Sequence, residues 1–390
     1  MSTEMLELLF LLLPVAAITG WYFGRRERSA PRASTTNLAS DYFRGLNYLL
    51  NEEPDKAIEV FIQMVEVDNE TVETHLALGN LFRRRGEVDR AIRIHQNIIA
   101  RPVLSHQQRS LALYELGQDY MSAGLLDRAE NLFGELVETG DYRVQALSRL
   151  LEIYEQEKDW QKAVSAATHL QQITGKPANK VVAQYYCELA EEAVLNADDK
   201  AAIRLLKKAH NVEKDCLRAT LIEADIAMTA RQWARAIKQL QVITADDFQI
   251  PEVLDKLELC YRSLGRLDEF LAYLEKLQAN PDNIEAMLRY SAILHEQSGQ
   301  RTAIDYIISQ MKQRPSVRGL ERLIKYHLEN TEGQARNNMQ ILYDLINALM
   351  VKRFGYKCNA CGYEAKSMHW HCPSCKRWNT IRPIHDLVEA

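Results

Sequence analysis

The apolar residues of this chain follow three successive patterns. From Leu6 to Phe23 (LELLFLLLPVAAITGWYF) they run almost unbroken, with Glu7 the single charge. That length sits near the lower limit for a bilayer-spanning helix, roughly 17–20 residues. Arg25, Arg26 and Arg28 follow at once, and no Lys or Arg precedes the run. A cleaved signal peptide carries positive charge ahead of its apolar core, whereas Glu4 and Glu7 stand there in this chain. The pattern predicts a transmembrane anchor in residues 1–24. Trp21 and Tyr22 fall at its interface, and the positive-inside rule places everything after residue 24 in the cytoplasm. Residues 25–40, ending RSAPRASTTNLAS, turn small and polar and read as a linker.

From residue 41 a helical period takes over and then recurs. The clearest unit is Gly79-Asn-Leu-Phe82 … Gly86-Glu-Val-Asp89-Arg-Ala91-Ile92, with close copies around Ala57 and Ala129. Weaker copies surround Ala163, Ala202, Ala236, Phe270 and Ala303. These eight positions are separated by 34, 38, 34, 39, 34, 34 and 33 residues. A period of 34 with small residues at two fixed places is the signature of tetratricopeptide repeats. Each unit is expected to be two antiparallel helices whose small residues, such as Gly79 and Ala91, allow close approach. Phe82 and Ile92 then fill the seam, and the Gly-x-x-Asp turn stops the first helix and caps the second. The longer steps are insertions near Pro102 and Lys176-Pro177. Leu151, Glu258, Ser291 and Phe270 depart from the small-residue rule, so the seventh unit carries the weakest signal. The repeats are assigned to residues 41–316, about eight in all, and an irregular helical pair over 317–350 is expected to cap them. Such arrays present an extended groove for a protein segment.

A third pattern begins at residue 351, where two Cys-x-x-Cys pairs, Cys358/Cys361 and Cys372/Cys375, occupy one short segment. Each pair makes a tight turn that presents both sulfurs to one point, so the four thiolates suit a tetrahedral metal. A segment this short cannot bury enough apolar surface to fold alone, and a metal is the expected staple. A thioredoxin-type motif needs a strand–helix context of about a hundred residues, which is absent, and a disulfide leaves the duplicated spacing without purpose. Cys₄ sites hold zinc or a single iron; one ion per chain is expected, zinc favoured. Gly362 suits the left-handed turn after the first pair, and Lys376 stands in the equivalent place after the second. Tyr356, Tyr363, Trp370 and Trp378 are expected to form the small apolar core of this β module. His369 and His371 are read as one face of a strand, with four thiols already sufficient for the metal.

Charge and composition narrow the function. The net charge of −5 argues against a general nucleic-acid binder, although residues 351–390 carry seven basic and three acidic side chains, +4, against −9 elsewhere. Thiolates on a divalent ion lower the tail to about +2, a mildly basic surface. A base-stacking role for the tail aromatics is the sharper alternative to packing. Cys187, Cys216 and Cys260 occur singly within helical patterns and read as reduced, buried side chains. No Gly-rich phosphate loop, His-Glu-x-x-His or Gly-x-Ser-x-Gly occurs, so no catalytic site is assigned.

The order of parts (membrane helix, tetratricopeptide array, four-Cys module) resembles the lipopolysaccharide assembly protein B family of Gram-negative bacteria. LELLFLLLPVAA (6–17), HLALGNLFRRRGEVDRAIRIHQ (75–96) and HWHCPSCKRWNTIRPI (369–384) carry the resemblance, which covers the whole chain. It implies an all-α repeat solenoid with an N-terminal transmembrane helix and a zinc-ribbon or rubredoxin-like β module, whose metal ligands are Cys358, Cys361, Cys372 and Cys375. The short spacer between the pairs favours a structural ion over electron transfer. The resemblance further implies a single-pass inner-membrane adaptor that faces the cytoplasm and restrains lipopolysaccharide synthesis. Its implied partners are the lipid A-committing deacetylase, the membrane AAA metalloprotease that degrades it, and an opposing lipopolysaccharide-sensing membrane protein. A scaffold for lipopolysaccharide synthesis enzymes and, behind it, an iron redox protein are the alternatives; homodimerisation is left open.

Overall fold

The computed structural model describes residues 21, 43–45, 47–48, 51, 53–67, 72–102, 104–243, 251–278, 283–313, 315–351 and 355–384. The expected membrane span (Trp21 apart) and the linker of residues 25–40 lie outside these. Among the described residues no helix is long and apolar enough to cross a membrane. The described residues form a tetratricopeptide solenoid with a small C-terminal β module.

The helices are α1 (Pro54–Val67), α2 (Val72–Arg84), α3 (Val88–Ile99), α4 (His106–Ser122), α5 (Leu126–Thr139) and α6 (Arg143–Glu157). They continue as α7 (Trp160–Thr174), α8 (Asn179–Leu195), α9 (Asp199–Val212), α10 (Leu217–Thr229), α11 (Trp233–Leu240) and α12 (Pro251–Ser263). Then come α13 (Leu267–Leu277), α14 (Ile284–Ser298), α15 (Gln300–Gln313), α16 (Val317–Glu329) and α17 (Gly333–Val351). The repeat register is visible as burial: Ala57, Ala91, Ala129, Ala163, Ala202, Ala236, Phe270 and Ala303 are all 0% exposed. Phe270 stands among alanines because it stacks on Tyr261, ring centroids 5.3 Å apart, and fills its own seam. The glycines of the first helices admit an aromatic ring from the second. A Cβ on Gly117 would stand 2.7 Å from the Phe133 ring, and one on Gly79 would collide with His95.

Six of the turns inside repeats close in the same way. A residue one or two positions past the first helix adopts positive φ, and the next N–H donates to the carbonyl five residues back, as in Glu87 to Phe82 (2.9 Å) and Asp159 to Tyr154 (2.9 Å). Glycine serves at Gly86, Gly124 and Gly265, but Lys158, Ala197 and Arg231 adopt φ of 60°, 58° and 56° in the same place. The expected capping by the turn aspartates holds only in part. Asp159 and Asp198 accept from the N–H of Lys162 and Ala201. Asp89 and Asp127 are the second residues of α3 and α5, where their charge complements the helix dipole and they cap nothing.

The chain divides into two compact units, Met1–Ile153 and Tyr154–Ala390, with the boundary inside α6. The first holds a buried polar knot between repeats. His95 Nδ1 and Asp119 Oδ2 lie 2.5 Å apart, both side chains fully buried, and Arg83 spans Asp119 (2.7 Å) and Glu115 (2.6 Å). In the second unit, ion pairs run from one first helix to the next. Arg218 of α10 meets Glu188 (2.7 Å) and Glu191 (2.9 Å) of α8, Lys256 of α12 meets Asp225, and Arg289 of α14 meets Glu258 (3.0 Å) and Asp255. Arg318 of α16 meets Glu285 at 2.6 Å. The β module also belongs to this unit. Strands β1 (Tyr356–Cys358), β2 (Glu364–Ala365) and β3 (Ile381–Pro383) form an antiparallel sheet in the order β2-β1-β3, pairing Tyr356 with Ala365 and Cys358 with Ile381.

Candidate metal centre

The sheet places the two cysteine turns face to face. Cys358 ends β1, the first turn returns the chain to β2, and the second turn precedes β3. In each turn the residue after the second cysteine has left-handed backbone, Gly362 at φ 78° and Lys376 at φ 56°. The turns close identically, Gly362 N–H to the Cys358 carbonyl (2.9 Å) and Lys376 N–H to that of Cys372 (3.0 Å). All four sulfurs lie within 4.8 Å of one another, and the Cys358–Cys375 and Cys361–Cys372 separations are both 3.8 Å. A disulfide requires about 2.05 Å. Four sulfurs at the corners of a tetrahedron with metal–sulfur bonds of about 2.3 Å stand about 3.8 Å apart. The donor set therefore fits one tetrahedral ion and makes one metal-binding site.

The surroundings of the first pair favour thiolate. The Thr380 hydroxyl, 3.2 Å from the Cys358 sulfur, draws that thiol down to about 6, helped by the N–H groups of Ala360 and Cys361. The Tyr363 N–H lowers Cys361. Cys375 also receives an N–H, from Arg377, but desolvation and the neighbouring sulfurs outweigh it and push the thiol up to about 11. Four close thiols cannot all ionise unaided; a divalent cation supplies the missing positive charge.

The aromatic residues around the cysteines do something other than the sequence suggests. The module's core is Tyr356, Cys358, Ala365, Cys372 and Ile381, with Met368 and Cys375 against it. Tyr363 is exposed, while Trp370 and Trp378 turn outward onto the repeat helices. Trp378 Nε1 donates to Glu155 Oε1 at 2.8 Å, and its ring meets Trp160 and Tyr185 edge-on at 5.9 and 5.7 Å. The Tyr185 hydroxyl donates to the same carboxylate oxygen at 2.5 Å, and burial followed by the Glu155 charge raises its pKa, so it stays a donor. Arg218 lies 5.9 Å from the centre of the Trp370 ring, and the Tyr356 hydroxyl donates to Glu252 at 3.2 Å. The module therefore lies back along α6, α10 and α12 instead of extending from the end of the array.

His369 and His371 do not share a strand. His371 forms an isolated bridge with Trp378, stacks on its ring at 4.4 Å and contacts the Lys376 carbonyl through Nε2 (2.8 Å); His369 contacts Ser367. Neither ring belongs to the sulfur cluster. Sequence reasoning located the cysteines but missed Glu155, Trp160 and Tyr185, whose nearest signal was only their place in the repeat pattern.

Comparison with known proteins places this arrangement. The profile for the rubredoxin metal binding domain matches residues 356–383, and tetratricopeptide repeat profiles match residues 74–105 and 114–173. Lipopolysaccharide assembly protein B of Escherichia coli strain K12 is 41% identical over 387 residues, 98% of this chain and 99% of that protein. The Haemophilus influenzae protein of the same name is 36% identical over 395 residues, 97% of this chain and 98% of its own length.

Proposed function

The chain belongs to the lipopolysaccharide assembly protein B family, and from that premise we propose that it regulates lipopolysaccharide assembly as a non-catalytic adaptor. In this reading, residues 6–23 tether it to the inner membrane with the repeats on the cytoplasmic side. The array and its seated metal module hold the lipid A-committing deacetylase and pass it to the membrane AAA metalloprotease. A lipopolysaccharide-sensing membrane protein opposes that transfer. The bound ion is zinc, with a structural role. Cys358, Cys361, Cys372 and Cys375 are its ligands, holding the two turns together so that Trp370 and Trp378 project from one rigid body.

One observation supports an adaptor more than any other. The metal module is seated on repeat helices through Trp378–Glu155, which makes a composite protein surface from segments 223 residues apart. Tethering two membrane-associated partners on such a surface raises their effective concentration, to the millimolar range for short linkers. The test is the half-life of the deacetylase in cells containing the native chain, no chain, or the Trp378→Ala variant. A longer half-life in the last two supports the adaptor. An unchanged half-life with altered co-purification of lipopolysaccharide synthesis enzymes supports the scaffold reading instead. Elemental analysis of the purified protein decides the ion: one zinc per chain supports the structural role, while iron with a thiolate charge-transfer band overturns it.

A further inference from the structure

Two cysteines that look solitary in the sequence meet in the fold. Cys187 lies mid-way along α8 and Cys216 is the residue that caps the start of α10; their sulfurs are 3.8 Å apart. Both side chains are buried, 0% and 3% exposed, in a cluster with Ala183, Ala190 and Ala219. The polar setting is uneven. Gln184 Nε2 approaches the Cys216 sulfur at 3.8 Å, and the Arg218 guanidinium lies two residues along the same turn. The contact with the Cys187 sulfur, the Ala219 N–H and the Arg218 charge lower the Cys216 thiol against the opposing effect of burial, while the same sulfur contact and burial raise Cys187. Cys216, at the N-terminal end of α10 beside Gln184 and Arg218, is the better placed to carry the thiolate, and Cys187, mid-helix among alanines, is the partner that resolves it, the division of labour found in reactive dithiols.

We propose that Cys187 and Cys216 form a reversible, peroxide-responsive disulfide linking the first helices of two successive repeats. The Cys216 thiolate attacks one oxygen of hydrogen peroxide; the O–O bond breaks, hydroxide leaves and takes up a proton as water, and Cys216 becomes a sulfenic acid. The Cys187 sulfur then attacks the sulfenic sulfur. The S–S bond forms, the S–O bond breaks, and the hydroxyl leaves as water with the Cys187 proton. Two thiols are oxidised by two electrons and one peroxide is reduced to two waters. Closing the sulfurs from 3.8 Å to about 2.05 Å draws the start of α10 toward α8. Arg218, which faces Trp370 of the metal module, rides on that turn.

The test uses the full-length, metal-loaded chain. Native protein is exposed to hydrogen peroxide, remaining thiols are alkylated, and the digest is searched for a peptide linking Cys187 to Cys216. The same is done on protein unfolded in urea. The linked peptide is expected at least about tenfold more abundantly from the native chain, because the fold supplies the effective concentration, and it should disappear on dithiothreitol treatment. Equal yields from native and unfolded protein, or no linked peptide while the exposed Cys361 is oxidised, would overturn the proposal. In Cys187→Ser the linked peptide should vanish and Cys216 should become reactive toward dimedone. Because the native-chain measurement needs no variant, misfolding of Cys187→Ser leaves the outcome decidable.

Discussion

Replacing Trp378 by alanine should unseat the metal module from the repeats without emptying its metal site. The indole N–H bond to the Glu155 carboxylate, at 2.8 Å, is a bond to a charged group, about 1.5–3 kcal/mol. The edge contacts to Trp160 and Tyr185 are each about 0.5–1.5 kcal/mol beyond area burial. The sum of about 2.5–6 kcal/mol, discounted because the ring is only half-buried, is about 2.5–4 kcal/mol, toward the low end for large aromatic truncations. At about 1.4 kcal/mol per decade the seated-to-released equilibrium shifts by two to three orders of magnitude. Hydrogen exchange read by mass spectrometry should show this as acceleration in peptides covering residues 155–160 and 180–190, where the partners lie, and in β3. Trp378→Phe keeps the edges and loses the donor. Because Tyr185 still serves the Glu155 oxygen, the cost should fall to about 1–2 kcal/mol. Less than about tenfold acceleration in Trp378→Ala, with the metal still bound, would refute the energetic role assigned to this contact.

Three further outcomes rest on the packing. Cys372→Ser removes one of four ligands from a module that folds on its metal, so metal should be lost and the β signal with it while helical circular dichroism persists; retained stoichiometric metal would contradict this. Gly117→Ala drives a Cβ to 2.7 Å from the fully buried Phe133 ring and should cost about 1–3 kcal/mol in urea unfolding, with partial rescue by Phe133→Leu; additive effects would mean that the two do not share the seam. Ala197→Gly relieves an L-residue held at φ 58°, a strain of about 1–2 kcal/mol, against about 0.4–1 kcal/mol of extra unfolded-chain entropy. The net is a stabilisation of about 0.5 kcal/mol, and a lower urea midpoint would reverse that sign.

The parts of the molecule that were legible in the sequence are those whose physics is local. A repeat must bury the same position every time, so the spacing of Ala57, Ala91, Ala129 and their successors reports a packing fact, and all eight positions are fully buried. Cysteine turns are local for the same reason: two ligands three residues apart have few ways to meet one metal. Legibility stops where partners come from distant segments. Cys187 and Cys216 are 29 residues apart and seem isolated until neighbouring repeats stack. Trp370 and Trp378 have the apolar character of core residues, and the sequence does not say whose core they serve. The helix starts at Asp89 and Asp127 failed differently: the residue type was right for a cap, and each helix began two residues earlier than the motif implied, with Glu87 and Leu125 at the cap position.

The seat of the metal module changes how the second unit holds together. In a bare repeat array each pair of helices is stabilised only by its neighbours, so opening can begin at any seam. Here one small body touches α6 and α8 through Trp378, α10 through Trp370 and α12 through Tyr356, the first helices of four successive repeats. These anchors cannot be satisfied together unless the seams between those repeats are closed, so module and repeats open as one cooperative body. In the structural role proposed for it the metal sets the geometry of the two turns, and the second of them carries Trp378 just beyond Cys375. Removing the ion therefore acts on helices that never touch it. Chelation should accelerate exchange across residues 155–260, well beyond the module, and acceleration confined to residues 355–384 would show that the anchors are too weak to couple the repeats.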